Sequence, residues 1–108
     1  MVLTITSIIE DYRSQYEPKS RRLIGKKGSV LLAKQQGRVF EIFYNRLNKT
    51  VSRDDLMLLL YDYSDNQPFD RSLDVAICRI RQKLEAVESG FRLNTIRSVG
   101  YVLRYKDT

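Results

Sequence analysis

The sequence predicts an α+β domain in which a three-helix core is closed by a C-terminal β-hairpin. Three observations carry that expectation. Apolar residues recur at three- and four-residue spacing in three separate stretches between residues 33 and 88. The stretch Phe91 to Tyr105 is dense in β-formers and breaks at Ser98-Val99-Gly100, the pattern of a hairpin. The chain is 108 residues long and 43% hydrophobic, enough for one core and too apolar for a disordered tail.

Each element has its own local reason. Ser7-Ile8-Ile9-Glu10 has capping-box spacing, and Ile5, Ile8, Ile9, Tyr12 and Tyr16 fall on one stripe, so a helix is expected over 7–17, stopped by Pro18. Arg22-Leu23-Ile24 and Ser29-Val30-Leu31-Leu32 flank Gly25-Lys26-Lys27-Gly28, a short hairpin. Val39, Phe40, Phe43, Tyr44 and Leu47 then predict a helix from Ala33 to Leu47, with Gly37 weakening it. Asn48-Lys49-Thr50 reads as a turn. Ser52, followed by Asp54 and Asp55, opens a second helix, because a serine cap and first-turn acids suit the exposed amides there.

The stretch from Asp62 to Asp70 has loop composition. A third helix is expected from Arg71 to Glu88, with Leu73, Ile77, Ile80, Leu84 and Val87 as its buried stripe and Ser89-Gly90 as its stop. Three helices closed by a hairpin is the plan of a winged helix-turn-helix, here with a short N-terminal hairpin and an extra N-terminal helix. The expected organisation is a helix and linker over 1–21 and the winged-helix domain over 22–108.

Composition narrows the chemistry. There is no histidine and one cysteine, Cys78, so zinc fingers, histidine triads and internal disulfides are excluded, and no cofactor or metal is expected. No catalytic constellation or glycine-rich phosphate loop is present, so an enzyme is not expected. No apolar run has membrane-spanning length, and the start lacks a basic n-region and cleavage site; the chain reads as cytoplasmic and nucleoid-associated, with no membrane partner. The net charge is +6. Residues 31–70 carry five bases and six acids, whereas residues 71–108 carry eight and four. The excess is densest at the C-terminal end, which suits a polyanion more than a uniformly basic coat does.

Two stretches sharpen this. Arg71-Ser72-Leu73-Asp74-Val75-Ala76-Ile77-Cys78-Arg79-Ile80-Arg81-Gln82-Lys83-Leu84 resembles the recognition helix of OmpR/PhoB-type response regulators, roughly R-T-V-D-V-H-I-x-R-L-R-x-K-L. Thr95-Ile96-Arg97-Ser98-Val99-Gly100-Tyr101 resembles their wing signature, T-V-R-G-x-G-Y. Gly37 to Phe43 with Val51 to Leu56 resembles their first helix, the short strand after it and the start of the second helix. The resemblance covers about Val30 to Tyr105. It departs at Ala76, where the family has a histidine that implies a phosphate contact, at Ser98, where the family has a glycine, and at Gly37, where it has an aromatic. Nothing before Val30 has the length of a receiver domain, so a receiver-less domain whose activity is independent of its own phosphorylation is expected. A complete protein opening on Met and an excised domain both fit.

The resemblance implies a sequence-specific, double-stranded DNA-binding transcription regulator, with helix 71–88 in the major groove and the wing, 91–105, at the minor groove. The stripe leaves Arg71, Asp74, Val75, Cys78, Arg79 and Gln82 outward. Arg79 suits guanine O6 and N7, Val75 a thymine methyl, Gln82 a base or a phosphate, and Cys78 a small contact or partly buried filler. Arg81 lies nearer the stripe and is expected either to reach DNA sideways or to pair with Asp74 or Glu85. Asp74 is expected to position Arg71 or another arginine. In the wing, Arg97 suits the minor groove beside Ser98, and Thr95 resembles the family's phosphate-contacting threonine. Tyr101 reads as core. Arg53 and the first-turn amides near Ser52-Arg53 and Arg71-Ser72 are candidate phosphate anchors.

A second reading stays open. On the same fold, a receiver-less adaptor or anti-regulator binds RNA polymerase, a sigma factor or another regulator. The acidic, aromatic loop with Tyr61, Asp65, Asn66 and Phe69 is its candidate contact, against a plain connector. A homodimer on tandem sites would use the 7–17 helix, against that helix packing on its own domain.

Overall fold

The computed structural model describes residues 12–63 and 70–106, and for 61–63 and 70–72 the backbone only. The described elements, in chain order, are β1 (Tyr16–Glu17), β2 (Arg22–Gly25), β3 (Gly28–Leu31), α1 (Lys34–Tyr44), β4 (Thr50–Ser52), α2 (Arg53–Tyr63), α3 (Asp70–Ala86), β5 (Phe91–Ile96) and β6 (Gly100–Tyr105). They form two antiparallel sheets, ordered β1-β2-β3 and β4-β6-β5, around the three helices. No helix among the described residues is long and apolar enough to cross a membrane.

The helix expected over 7–17 is corrected where it is described. Residues 12–14 are helical, but Tyr16 and Glu17 form a strand, with Tyr16 opposite Leu23. Two local forces explain this. Pro18 biases the residue before it away from the helical region. The Ile24 amide donates to the Gln15 carbonyl at 2.9 Å, which starts the sheet one residue ahead of β1. The sheet delivers Tyr16 into the core, 1% exposed, with ring centroids 4.7 Å from Phe40 and 5.1 Å from Tyr44. The first sheet therefore takes in residues ahead of the expected boundary at 21/22. Residues 1–11 lie outside the described residues.

Helix α1 ends at Tyr44 rather than Leu47, and the chain turns out through Asn48 at φ 67°, a left-handed conformation that asparagine tolerates. Its first turn is tied by the Ala33 amide donating to Gln36 Oε1 at 2.9 Å. The aliphatic stem of Arg21 crosses Gly37, where a Cβ would stand 2.5 Å from Arg21 Cδ, so this stem fills the space over that turn. Thr50, read as part of a turn, belongs to β4 and pairs with Val102. Helix α2 opens as its sequence predicts, with the Asp55 amide donating to Ser52 Oγ at 3.0 Å.

Helix α3 buries Leu73, Ile77, Ile80 and Leu84, the expected stripe, with Val87 buried just beyond its end. Ala76 is also buried, at 5% exposure. Position 76 thus faces the interior in this chain. Leu73, Ala76, Ile77, Ile80 and Leu84 meet Phe40, Phe43, Leu56, Phe91 and Leu103 in one core cluster, which fixes α3 on the scaffold.

Candidate nucleic-acid interface

Helix α3 has two flanks held by contacts and one face left to solvent. On one flank, Lys83 Nζ donates to the Leu31 carbonyl at 2.9 Å and to Gln36 Oε1 at 2.7 Å, facing the first sheet and α1. On the other, Asp74 and Arg81 lie seven residues apart, two turns along one line, and both face the C-terminal hairpin. Opposite the buried stripe stand Val75, Cys78, Arg79 and Gln82, all exposed, Val75 at 55%. Arg79 makes no hydrogen bond or ion pair with another described residue.

One of the two expected roles of Arg81, pairing with Asp74 or Glu85, is corrected: it pairs with neither. Its Nε donates to the Leu93 carbonyl at 2.8 Å, its Nη2 donates to Thr95 Oγ1 at 2.7 Å, and its guanidinium carbon lies 5.7 Å from the Tyr101 ring centroid. The β5–β6 register puts Thr95 opposite Tyr101, so one arginine engages both strands of the hairpin. Tyr101, read as core, is half-buried and also aims its hydroxyl at Asp74 Oδ1 from 3.5 Å.

Asp74 is held by Arg53, another arginine as the expectation allowed; the Arg71 side chain lies outside the described residues. Arg53 Nη1 donates to Asp74 Oδ1 at 2.6 Å and Nη2 to Oδ2 at 3.2 Å, a two-point fork. These hydrogen bonds hold the Asp74 carboxyl below its ordinary value and the Arg53 guanidinium above its own. The candidate phosphate anchor at Arg53 is thus occupied by a neighbouring acid. Its backbone is occupied too, since the Arg53 amide donates to the Val99 carbonyl at 3.3 Å.

The hairpin turn is Arg97-Ser98-Val99, closed by the Val99 amide donating to the Ile96 carbonyl at 3.0 Å. Ser98 sits at φ 64°, where a glycine is unstrained. Arg97 and Ser98 are exposed, and Arg97, like Arg79, makes no hydrogen bond or ion pair with another described residue. Two contacts join the turn to α3. Val99 meets the start of α2 through its carbonyl, and Arg53 there meets Asp74. The wing turn, the first turn of α2 and Asp74 of α3 are therefore linked in series.

Sequence reading missed the two arginine contacts that organise this surface. Arg53 and Asp74 are 21 residues apart and Arg81 and Thr95 are 14 apart, separations at which no periodicity reports contact. In the candidate polymerase loop, Asp65, Asn66 and Phe69 lie outside the described residues. Tyr61 lies on α2 with its side chain undescribed.

Comparison with known proteins meets this geometry. Residues 25–103 match the family model described as "Transcriptional regulatory protein, C terminal". The sensory transduction protein BceR of Bacillus subtilis is 32% identical over 81 residues, 75% of this chain and 35% of that protein. The regulatory protein VirG of Agrobacterium tumefaciens is 35% identical over 85 residues, 77% of this chain and 32% of that protein. The chain thus spans about a third of the length of these relatives. Among solved structures, the C-terminal domain of the nisin resistance regulator NsrR superposes with a TM-score of 0.69 at 22% identity, covering 79% of this chain and 85% of that one. The Klebsiella pneumoniae RstA DNA-binding domain, solved in complex with the RstA box, superposes at 0.60 with 26% identity, covering 82% and 87%.

Proposed function

The chain belongs to the C-terminal domain family of transcriptional regulatory proteins, the OmpR/PhoB-type DNA-binding domains, and from that premise we propose that it binds double-stranded DNA sequence-specifically to regulate transcription. Helix α3 enters the major groove. Arg79 donates to guanine O6 and N7, Val75 packs on a thymine methyl, and Cys78 and Gln82 border them. Arg71, in the first turn of α3, reaches the phosphates. The hairpin turn crosses the adjacent minor groove, where Arg97 meets the more negative potential beside Ser98.

One observation carries this reading. The hairpin turn that holds Arg97 is tied to the start of α3 through the Val99–Arg53 and Arg53–Asp74 contacts. A groove-reading helix and a phosphate-tracking wing need to be held together in this way to straddle a duplex. The B-DNA major groove, about 12 Å wide, admits one helix.

The test is selection of bound sites from a random duplex library. An enriched motif, bound with an affinity that falls steeply with salt at a log–log slope of about −0.9 per phosphate contacted, is the expected result. Recovery of no motif, or binding indifferent to salt, overturns the proposal.

A further inference from the structure

The bond between Arg81 and Thr95 has a direction, and the direction has a consequence. A guanidinium only donates. Thr95 Oγ1 receives Arg81 Nη2 at 2.7 Å, so the threonine oxygen is the acceptor in that contact and its own hydrogen is not used there. Thr95 is exposed, and its hydroxyl donates to no other described residue. A second bond, from Arg81 Nε to the Leu93 carbonyl at 2.8 Å, fixes the plane of the fork, and the Tyr101 ring lies 5.7 Å from its carbon. The threonine side chain is therefore held by a cation already anchored at two other points. A hydroxyl that accepts from a cation is also polarised into a better donor.

We propose that Arg81 is a positioning residue that acts on DNA through Thr95: the fork holds the Thr95 hydroxyl so that its proton is presented to a phosphate oxygen, a group that can only accept. This rests on the DNA-binding reading above and deepens it by dividing two residues of one surface into contact and support. It also accounts for why an arginine so near the buried stripe reaches the hairpin rather than solvent. Lysine at this position keeps the charge but loses the flat two-point fork that binds Leu93 and Thr95 together.

Affinity for the duplex selected by the wild-type protein, or for random-sequence duplex if none is enriched, tests this across a salt series. Thr95→Val should weaken binding about tenfold, as loss of one hydrogen bond to a charged group does, with the salt slope unchanged. Thr95→Ser, which keeps the hydroxyl, should bind like the wild type. Arg81→Lys should weaken binding as much as Thr95→Val, and the double variant no more than either alone. The inference is overturned if the two losses multiply, if Arg81→Lys binds like the wild type, or if Arg81→Met lowers the slope by about 0.9, the mark of a direct phosphate contact. If Arg81→Lys does not fold, Thr95→Val binding as well as Thr95→Ser overturns it alone. Wild-type protein that binds no duplex overturns instead the reading beneath it.

Discussion

Arg53, the first residue of α2, holds Asp74 of α3 through a fork whose shorter arm is 2.6 Å. Both side chains remain about half exposed, at 44% and 59%. An exposed pair of this kind contributes about 0–1 kcal/mol to stability. Its larger effect is on charge. The pair sits where the wing turn, the start of α2 and α3 converge, and it neutralises a cation beside the proposed phosphate path.

Removing the acid should therefore change binding more than folding. Asp74→Asn is expected to change the melting temperature little and to tighten binding to random-sequence duplex, because it removes a negative charge beside the proposed phosphate path. Fluorescence anisotropy at low salt checks this; unchanged affinity would show that Asp74 does not lie near the phosphates.

The same pair sets a sign for pH. Asp74 has its carboxyl pKa lowered from 3.8, chiefly by hydrogen bonds from Arg53. A depressed folded-state pKa contributes stability above the unfolded value, and the contribution is lost as pH falls through the folded one. Asp74→Asn should thus lose this small contribution at neutral pH and flatten the acid limb below about pH 4, where the variant and the wild type converge. The Asp74 carboxyl resonance, followed by NMR, should titrate below 3.8 in the wild type.

Ser98 carries backbone strain at the turn. Its φ of 64° is left-handed, a region costing a residue with a Cβ about 1–2 kcal/mol. Glycine removes the strain but gains freedom in the unfolded chain, so Ser98→Gly should stabilise by about 0.5–1 kcal/mol and raise the melting temperature by a few degrees. Ser98→Val should lower it. Thermal unfolding followed by circular dichroism decides the sign.

Gly100 is required for a different reason, close approach. A Cβ there would stand 2.1 Å from the Val51 carbonyl oxygen, a backbone atom that cannot move aside without opening the β4–β6 pair. Gly100→Ala should cost about 2–4 kcal/mol, the range of substitutions that force backbone apart, and should release amide protection in β4 first. Hydrogen exchange at Thr50 to Ser52 checks this.

Those last two positions show where sequence reading stops. The α3 stripe was legible because a four- and three-residue alternation has one buried solution, and the same spacing placed Asp74, Val75, Cys78, Arg79 and Gln82 outward, where they stand. The hairpin was legible from its β-formers and its break at residues 98–100. Strand β1 was not, because two residues are too short to show a period, and Tyr16 has the spacing of a helical stripe while its backbone pairs with Leu23. The partners of Arg53 and Arg81 depend on how α2, α3 and the hairpin meet, and that is set by the packed core rather than by any local pattern.

Arg79 and Arg97 should separate the two kinds of contact proposed above. Arg79 faces outward from α3, as Val75 does, on the face proposed to read base edges; Arg97 stands on the exposed turn. Arg79→Ala should weaken the selected site by about 10–100-fold, the worth of a two-point guanine contact, and random-sequence duplex far less. Arg97→Ala should weaken both, since attraction to a negative groove is only partly sequence-dependent. The ratio of selected to random affinity, measured at one salt concentration, should therefore collapse in the first variant and largely survive in the second. The double variant Arg79→Glu with Arg97→Glu should bind neither. Retained binding to the selected site by that double variant would mean that this surface does not meet the duplex, because two reversed charges beside phosphates cannot be tolerated where both side chains make contact.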